Sequence, residues 1–221
     1  MSQKRVIYLT GLLGLFASIT VGLGEFLLHY SPQLVEHTAN YEFFKFVPRN
    51  NLIYGHFLAV IGTPFYFVGY YHIYKMLKGK ENKYALIIFI LGVLAFTVGG
   101  FWITSRGFLG TIVHFKGDIS GPIYQQILDN YTLISESLVQ GLRVIILLLS
   151  IFYVLAILTS TTYYDKWMAI FNPIAILIVI FAIFFIAPAI GQYITPIAMN
   201  VVHFIVFGLS LIQFRKNYSQ T

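Results

Sequence analysis

The stretch VIYLTGLLGLFASITVGLGEFLLHY, residues 6–30, decides the class of this fold. It is apolar over about 25 residues, and a helix of about 20 residues is long enough to cross the hydrocarbon core of a bilayer. Similar apolar runs recur along the 221-residue chain, separated by short polar breaks. We therefore predict an integral membrane protein built from helices.

The composition supports this class and narrows the function. Hydrophobic residues make up 58% of the chain and charged residues 10%, whereas about 25% of the residues in soluble domains are charged. The mean hydropathy is +0.78. The sequence contains no cysteine, which excludes disulfides, thiolate metal sites and thiol redox chemistry. The net charge of +6 is expected from lysines held on the cytoplasmic side of a multispanning protein, so no nucleic-acid partner is predicted.

Hydropathy predicts an all-α, six-transmembrane-helix bundle that forms a single domain over residues 1–221. The predicted spans are residues 6–30, 51–75, 84–104, 134–159, 168–187 and 193–214. Nine of the fourteen Lys and Arg residues fall on one side of these spans: Lys4, Arg5, Lys75, Lys78, Lys80, Lys83, Lys166, Arg215 and Lys216. The positive-inside rule then predicts that the N-terminus and the C-terminus both lie in the cytoplasm. The protein is predicted to reside in the cytoplasmic membrane.

Glu25 and His29 lie one helical turn apart at the outer end of the first span, where a membrane anchor requires neither. Steps of three and four residues put them on one helix face with a stripe of small residues. The stripe consists of Gly11, Gly14, Ser18 and Gly22. Small residues let membrane helices approach closely, so this face is predicted to pack against other helices. The second span has a comparable stripe at Gly55, Gly62 and Gly69.

Polar residues of other spans are predicted to meet Glu25 and His29 in the outer half of the bundle, from a helical rise of about 1.5 Å per residue. The candidate ligand-binding residues are Glu25, His29, His56, Arg106, Glu136, Gln140, Arg143, Asn200 and His203. Ionisable groups in membrane spans usually mark sites or pathways. We predict one outward-facing polar pocket, with the aromatic loop at residues 43–46 lying along the membrane surface or capping the bundle. His72, among tyrosines at the inner interface, is interpreted as an interfacial residue.

Metal binding is an alternative use of the same groups. Glu25 and His29 are spaced i,i+4, and His56 or His203 would complete a set of histidine and carboxylate ligands of the kind that zinc or non-haem iron uses. No HExxH motif fixes such a geometry. A haem is disfavoured, because His56 and His203 differ in predicted depth.

Residues 24–32, GEFLLHYSP, and 55–79, GHFLAVIGTPFYFVGYYHIYKMLKG, carry a family resemblance. They resemble a family of uncharacterised bacterial multispanning proteins whose first helix ends in G-[DE]-x-L-L-x-Y. The resemblance covers roughly the first 80 residues. It implies six helices and a bacterial cytoplasmic membrane, places Glu25 at the family's acidic position, and supplies no activity.

The leading hypothesis is a membrane protein that binds, and as an enzyme would process, a small molecule or lipid entering from the outer side. The second hypothesis is a small-molecule or proton-coupled transporter, although no inverted repeat is evident. The third is a structural or assembly subunit of a membrane complex. The oligomeric state and the substrate are not fixed by the sequence.

Overall fold

The computed structural model describes residues 2–31, 41–78 and 82–218, and these form helices and loops without a β-strand. Seven α-helices are present in this part of the chain: α1 Gln3–His29, α2 Arg49–Leu77, α3 Tyr84–His114, α4 Gly121–Thr159, α5 Pro173–Ile186, α6 Pro188–Ile194 and α7 Ala198–Gln213. Short 3-10 segments lie at Glu42–Phe46, Lys166–Phe171 and Thr195–Ile197, and a π-helical turn at Phe214–Tyr218 follows α7. The all-helical class is as predicted.

Five helical segments are long and apolar enough to cross a membrane: α1, α2, α3, α4 and the combined segment Pro188–Tyr218. This finding supports a multi-pass membrane protein. The predicted span at residues 168–187 is different, because its α-helical part, α5, has only 14 residues. A helix of that length extends about 21 Å, less than the roughly 30 Å of a hydrocarbon core.

Two prolines explain why the α-helix in the predicted fifth span is short. Pro173 occupies the first turn of α5, and the Asn172 side chain caps that helix by accepting a hydrogen bond from the backbone N–H of Ala175 at 3.1 Å. Ala187 leaves the helical conformation, with φ −134°, because it precedes Pro188. A hydropathy average counts apolar residues and does not register these breaks.

The helices α1 and α2 pack through a glycine seam, formed by Gly14 and Gly24 of α1 with Gly55 and Gly69 of α2. A Cβ atom added at Gly24 would lie 2.6 Å from the Gly55 carbonyl oxygen, and one added at Gly69 would lie 2.6 Å from the Gly14 Cα. The predicted burial of the small-residue stripe is therefore confirmed. The seam brings Glu25 and His29 of α1 against protein at one end of the bundle.

Both ends of the described chain lie at the same end of the bundle, which we call the terminal end. Arg215 Nη2 donates a hydrogen bond to the Tyr8 hydroxyl at 2.5 Å, and the rings of Tyr8 and Phe214 lie 5.7 Å apart. The loop after α4 joins them, since the Tyr163 N–H donates to the Met76 carbonyl at 3.0 Å. We call the opposite end, which holds His29 and the segment Glu42–Phe46, the loop end.

A hydrogen-bonded cluster around one carboxylate, that of Asp165, lies at the terminal end. Asp165 accepts hydrogen bonds from Lys216 Nζ at 2.7 Å, from Gln213 Nε2 at 3.2 Å and from Trp167 Nε1 at 3.2 Å. These donors, Lys216 above all, lower the pKa of Asp165 to about 2. The carboxylate therefore stays ionised at any physiological pH and ties the end of α7 to the loop that follows α4.

Candidate functional site

Arg106 of α3 is the centre of the loop end, and it is only 9% exposed. Aromatic rings surround its guanidinium group: the Cζ atom lies 5.1 Å from the ring centroids of Tyr41 and Phe44, 5.2 Å from Trp102 and 5.8 Å from Phe43. Cations are attracted to the faces of such rings. The rings hold the guanidinium group in one place while removing it from water.

His29 fixes the orientation of this arginine. Arg106 Nε donates a hydrogen bond to His29 Nε2 at 2.9 Å, so this ring nitrogen carries no proton. The His29 ring also lies 5.7 Å from that of Trp102. His29 is thus a neutral hydrogen-bond acceptor that positions Arg106.

The segment Glu42–Phe46 caps Arg106, and it is anchored to α3 and to the residues that directly follow α3. Glu42 accepts hydrogen bonds from Lys116 and from Lys45, the latter at 2.6 Å, and these bonds lower the pKa of Glu42. His114 Nε2 donates to the carbonyl of Val47 at 2.9 Å. Phe44 is completely buried. Of the two placements predicted for this aromatic loop, the structure shows the cap on the bundle.

A cavity of about 610 Å³, the arginine cavity, lies beside Arg106. Helix α1 contributes His29, the cap contributes Phe43, and the remaining wall comes from α3 and the region around α6. Its lining residues are His29, Phe43, Trp102, Arg106, Phe184, Pro188, Ala189, Gln192, Thr195 and Pro196. The division of the chain by Pro188 thus builds one wall of this cavity.

A second cavity of about 360 Å³, the apolar cavity, lies between α1, α3, α4, α5 and α7. Most of its lining is hydrophobic, and its charged or amide side chains are Glu25, Arg143 and Asn200. Trp102, Thr195 and Pro196 line both cavities. The two spaces therefore adjoin, with a charged end at Arg106 and an apolar end between the helices.

A hydrogen-bonded cluster forms one side of the apolar cavity. Asn200 of α7 donates through Nδ2 to the Glu25 carboxylate and accepts through Oδ1 from the Tyr66 hydroxyl at 2.7 Å. Nearby, the Tyr70 hydroxyl donates to His203 Nε2 at 2.7 Å, while His203 Nδ1 donates to the Met199 carbonyl at 2.8 Å. Glu25 and Asn200 are brought together as predicted, and His203 lies behind them in the core.

His72 is not the interfacial residue that the sequence suggested, because its side chain is completely buried. Its Nδ1 donates to the Ile7 carbonyl at 2.7 Å, and its Nε2 accepts from the Ser210 hydroxyl at 2.8 Å. The Tyr164 hydroxyl donates in turn to Ser210 at 2.6 Å. His72 therefore connects α1, α2 and α7. The tyrosines next to it in the sequence had suggested an interfacial position instead.

Four of the predicted site residues lie outside both cavities: His203, in the core behind Glu25 and Asn200, and His56, Glu136 and Gln140, which do not join the others. His56 is half-buried beside Gly107, and its ring lies 6.0 Å from that of Phe108. Glu136 and Gln140 are exposed on α4. The same helix directs Ser135 inward, where it accepts a hydrogen bond from Trp102 Nε1 at 3.1 Å, so its polar stripe faces away from the bundle. Arg143 is exposed as a residue but lines the apolar cavity.

The residues of the metal hypothesis are separated in the structure. Glu25 and His29 are neighbours on α1, whereas His203 is bonded to Tyr70 and His56 lies against α3. Across residues 2–31, 41–78 and 82–218, no group of three or more histidine, aspartate or glutamate side chains is arranged to hold a metal ion.

Sequence reasoning missed Tyr41, Trp102 and Thr195. Tyr41 and Trp102 face the guanidinium group of Arg106, and Thr195 lies between the cavities. The pattern Trp102–Arg106 on α3, spaced i,i+4, was an available signal, because such residues share a helix face. Tyr41 and Thr195 come from distant parts of the chain and carry no local signal.

Comparison with known proteins places the chain in a family without assigning an activity. No curated protein and no solved structure matches it significantly. A family model described as a family of unknown function, DUF6796, matches residues 1–217, so the protein belongs to that family, in agreement with its resemblance to an uncharacterised group of proteins.

Proposed function

We propose that this membrane protein is a receptor or a carrier for a small amphiphilic molecule. The molecule binds in the arginine cavity and the apolar cavity together. The observation that carries the proposal is that the two cavities adjoin at Trp102, Thr195 and Pro196. Their volumes, about 610 and 360 Å³, are in the range of ligand pockets, which are mostly apolar with a few placed polar groups. A molecule with a polar head and a hydrocarbon part matches both environments.

The proposal includes an orientation in the cell membrane. Basic residues gather at the terminal end, where Lys4, Lys75, Lys166 and Lys216 lie near the ends of their helices. With both chain ends in the cytoplasm, the segment Lys166–Phe171 together with α5 forms the sixth crossing. The arginine cavity then faces the outer leaflet, from which a lipid or another amphiphile enters.

A Gly99→Leu substitution tests this function, because Gly99 lines the apolar cavity and a Cβ added there meets no atom within 4 Å. The leucine side chain should fill space that the ligand needs without disturbing the fold. We expect at least a roughly tenfold loss of the bound amphiphile, since one tenfold step corresponds to about 1.4 kcal/mol. Native mass spectrometry of gently purified protein, with lipid extraction and metal analysis, measures the occupancy.

Gly141→Leu is the matched control. Gly141 is exposed on α4, lines neither cavity, and has equally open space for a Cβ. This variant should retain the ligand at the level of the unsubstituted protein. The proposal is wrong if the unsubstituted protein carries no organic ligand and binds none when supplied with amphiphiles, or if the two leucine variants retain it equally.

A proton-coupled transporter is the second candidate, and one observation favours it. Buried polar groups continue from Glu25 and Asn200 past His203 to His72, Ser210 and Tyr164 near the terminal end. The buried Tyr153 hydroxyl has no hydrogen-bond partner among the described residues. Its ring lies 6.0 Å from that of Tyr164. Such a series provides polar groups along most of the bundle's length.

The absence of native cysteine makes this candidate testable by labelling. A single cysteine at Ser210 lies near the terminal end, and one at Thr63 lines the apolar cavity. Transport by alternating access requires the reactivity of Ser210→Cys toward a thiol reagent to rise when that of Thr63→Cys falls, as pH or ligand is varied. If the cysteine in Ser210→Cys stayed equally protected from the thiol reagent in membrane vesicles under all conditions, the protein would bind its ligand without transporting it.

A further inference from the structure

Arg106 is a buried cation that forms no ion pair with any of the described residues. The three ion pairs among the described residues involve Glu42 and Asp165, and none involves Arg106. Glu25 acts on Arg106 electrostatically without forming an ion pair, and its carboxylate accepts a hydrogen bond from Asn200. Burial of a charge without a partner costs several kcal/mol. A site that keeps such a charge facing a cavity is suited to an anionic ligand.

The charges around the two cavities support the same conclusion. Among the described residues that line the cavities, Arg106 and Arg143 are the cationic side chains, Glu25 is the one acidic side chain, and His29 is neutral as an acceptor. The lining therefore carries at least one net positive charge, which one anionic group would balance. A cationic head group would be repelled by Arg106.

The hydrogen-bonding groups also favour an oxyanion. A guanidinium group has five N–H donors, and His29 accepts a hydrogen bond from one of them, Nε. The remaining donors form a planar fork that matches a carboxylate or phosphate. The Thr195 hydroxyl, buried and without a partner among the described residues, adds a donor where the cavities meet.

We propose that the arginine cavity binds the anionic head group of an amphiphile, a carboxylate or a phosphate, against Arg106, while its hydrocarbon part occupies the apolar cavity. This inference rests on the proposed function and specifies the chemical class of the ligand. His29 acts as a positioning residue, because it holds Nε and turns the remaining donors toward the cavity. The aromatic rings around the guanidinium group exclude water, which strengthens the contact with an anion.

The chain supplies its own reporter for this binding. It contains two tryptophans, and Trp102 lines both cavities, whereas Trp167 lies at the terminal end. A Trp167→Phe background leaves Trp102 as the single fluorophore. Delipidated protein in a non-ionic detergent is titrated with hexadecanoate, hexadecyl phosphate and hexadecanol, which share one hydrocarbon chain and differ in the head group.

We expect both anions to change the Trp102 emission and to bind about 10- to 100-fold more tightly than the alcohol, as charge-assisted hydrogen bonds allow. The stronger of the two anions identifies the head group as carboxylate or phosphate. Arg106→Gln should weaken the binding of both anions until it is close to that of hexadecanol, which removes this preference. Arg49→Gln is the matched control, because Arg49 lies at the same end, over the Phe115 ring at 4.8 Å, and lines neither cavity.

The possible failures are distinguishable. Tight binding of hexadecanol equal to that of the anions, or an unchanged preference in Arg106→Gln, overturns the anionic inference while the amphiphile pocket stands. If none of the three probes binds and the purified protein carries no amphiphile, the proposed function itself fails. Should Arg106→Gln not fold, Arg106→Lys is used instead, because it keeps the charge without the planar fork. Its affinity for the two anions must then fall between that of the unsubstituted protein for the anions and that for hexadecanol.

Discussion

Replacing Gly24 with alanine should prevent the bundle from assembling, although the change adds one methyl group. A Cβ atom at this position would lie 2.6 Å from the Gly55 carbonyl oxygen and 2.7 Å from the backbone nitrogen of Ala59. Both atoms belong to the α2 backbone, so no side chain can rotate to make room. Helices α1 and α2 would have to separate along the glycine seam, which also contains the close approach of Gly14 and Gly69.

The expected cost exceeds that of ordinary overpacking, which is about 1–3 kcal/mol, because the clash involves main-chain atoms in both helices. We expect most of the Gly24→Ala protein to aggregate or to elute as a broad peak in size-exclusion chromatography in detergent. Gly208→Ala is the control, since a Cβ there meets nothing within 4 Å. It should be neutral or more stable by up to about 1 kcal/mol, the helix propensity difference. Equal melting temperatures for the two variants would contradict the seam.

The seam was predictable because its signal is local. Small residues at helical spacing on α1 and α2 indicate a close packing face whatever the partner, and both stripes pack as expected. The division at Pro173 and Pro188 was also present in the sequence, but the hydropathy of residues 168–187 outweighed it in the prediction. The structure shows that the prolines decide where α5 begins and ends.

The direction in which a polar stripe faces was less predictable. Periodicity places Glu136, Gln140 and Arg143 on one face of α4, but it does not say whether that face points into the bundle. On α4 the inward face carries Ser135 and Ile146, and two of the three polar residues lie away from the cavities. On α7, Asn200 and His203 are both buried, but of the two only Asn200 lines a cavity.

The surroundings of Arg106 could not be derived from the sequence, because they are assembled from segments far apart in the chain. Tyr41 and Phe44 come from the loop before α2, Trp102 from α3 itself, and His29 from the end of α1. Sequence spacing relates residues within one helix only. The packing order that brings these segments together is a property of the whole bundle.

Replacing Asn200 with leucine should produce the second large loss of stability. Leucine has the same branching at Cγ as asparagine, but it is larger and cannot hydrogen-bond, so the Glu25 carboxylate and the Tyr66 hydroxyl would each lose a partner. Tyr66 is completely buried. An orphaned buried group costs about 1–3 kcal/mol in soluble proteins, and interhelical hydrogen bonds in membrane proteins contribute about 0.6 kcal/mol on average and up to about 1.7. We expect a decrease of about 2 kcal/mol in the free energy of unfolding.

A double-mutant cycle separates the hydrogen bond from the change in packing. Tyr66→Phe alone leaves Asn200 Oδ1 without its donor, whereas the double variant Tyr66→Phe, Asn200→Leu leaves neither member of that pair unpaired. The double variant should therefore lose less stability than the sum of the two single variants, by about 0.5–1.5 kcal/mol. Tyr74→Phe, which removes a hydroxyl from the same helix outside this cluster, sets the baseline for the phenylalanine substitution. Strict additivity in denaturant titrations would show that the hydrogen bond between Tyr66 and Asn200 contributes no measurable stability, and that the link between α2 and α7 does not depend on it.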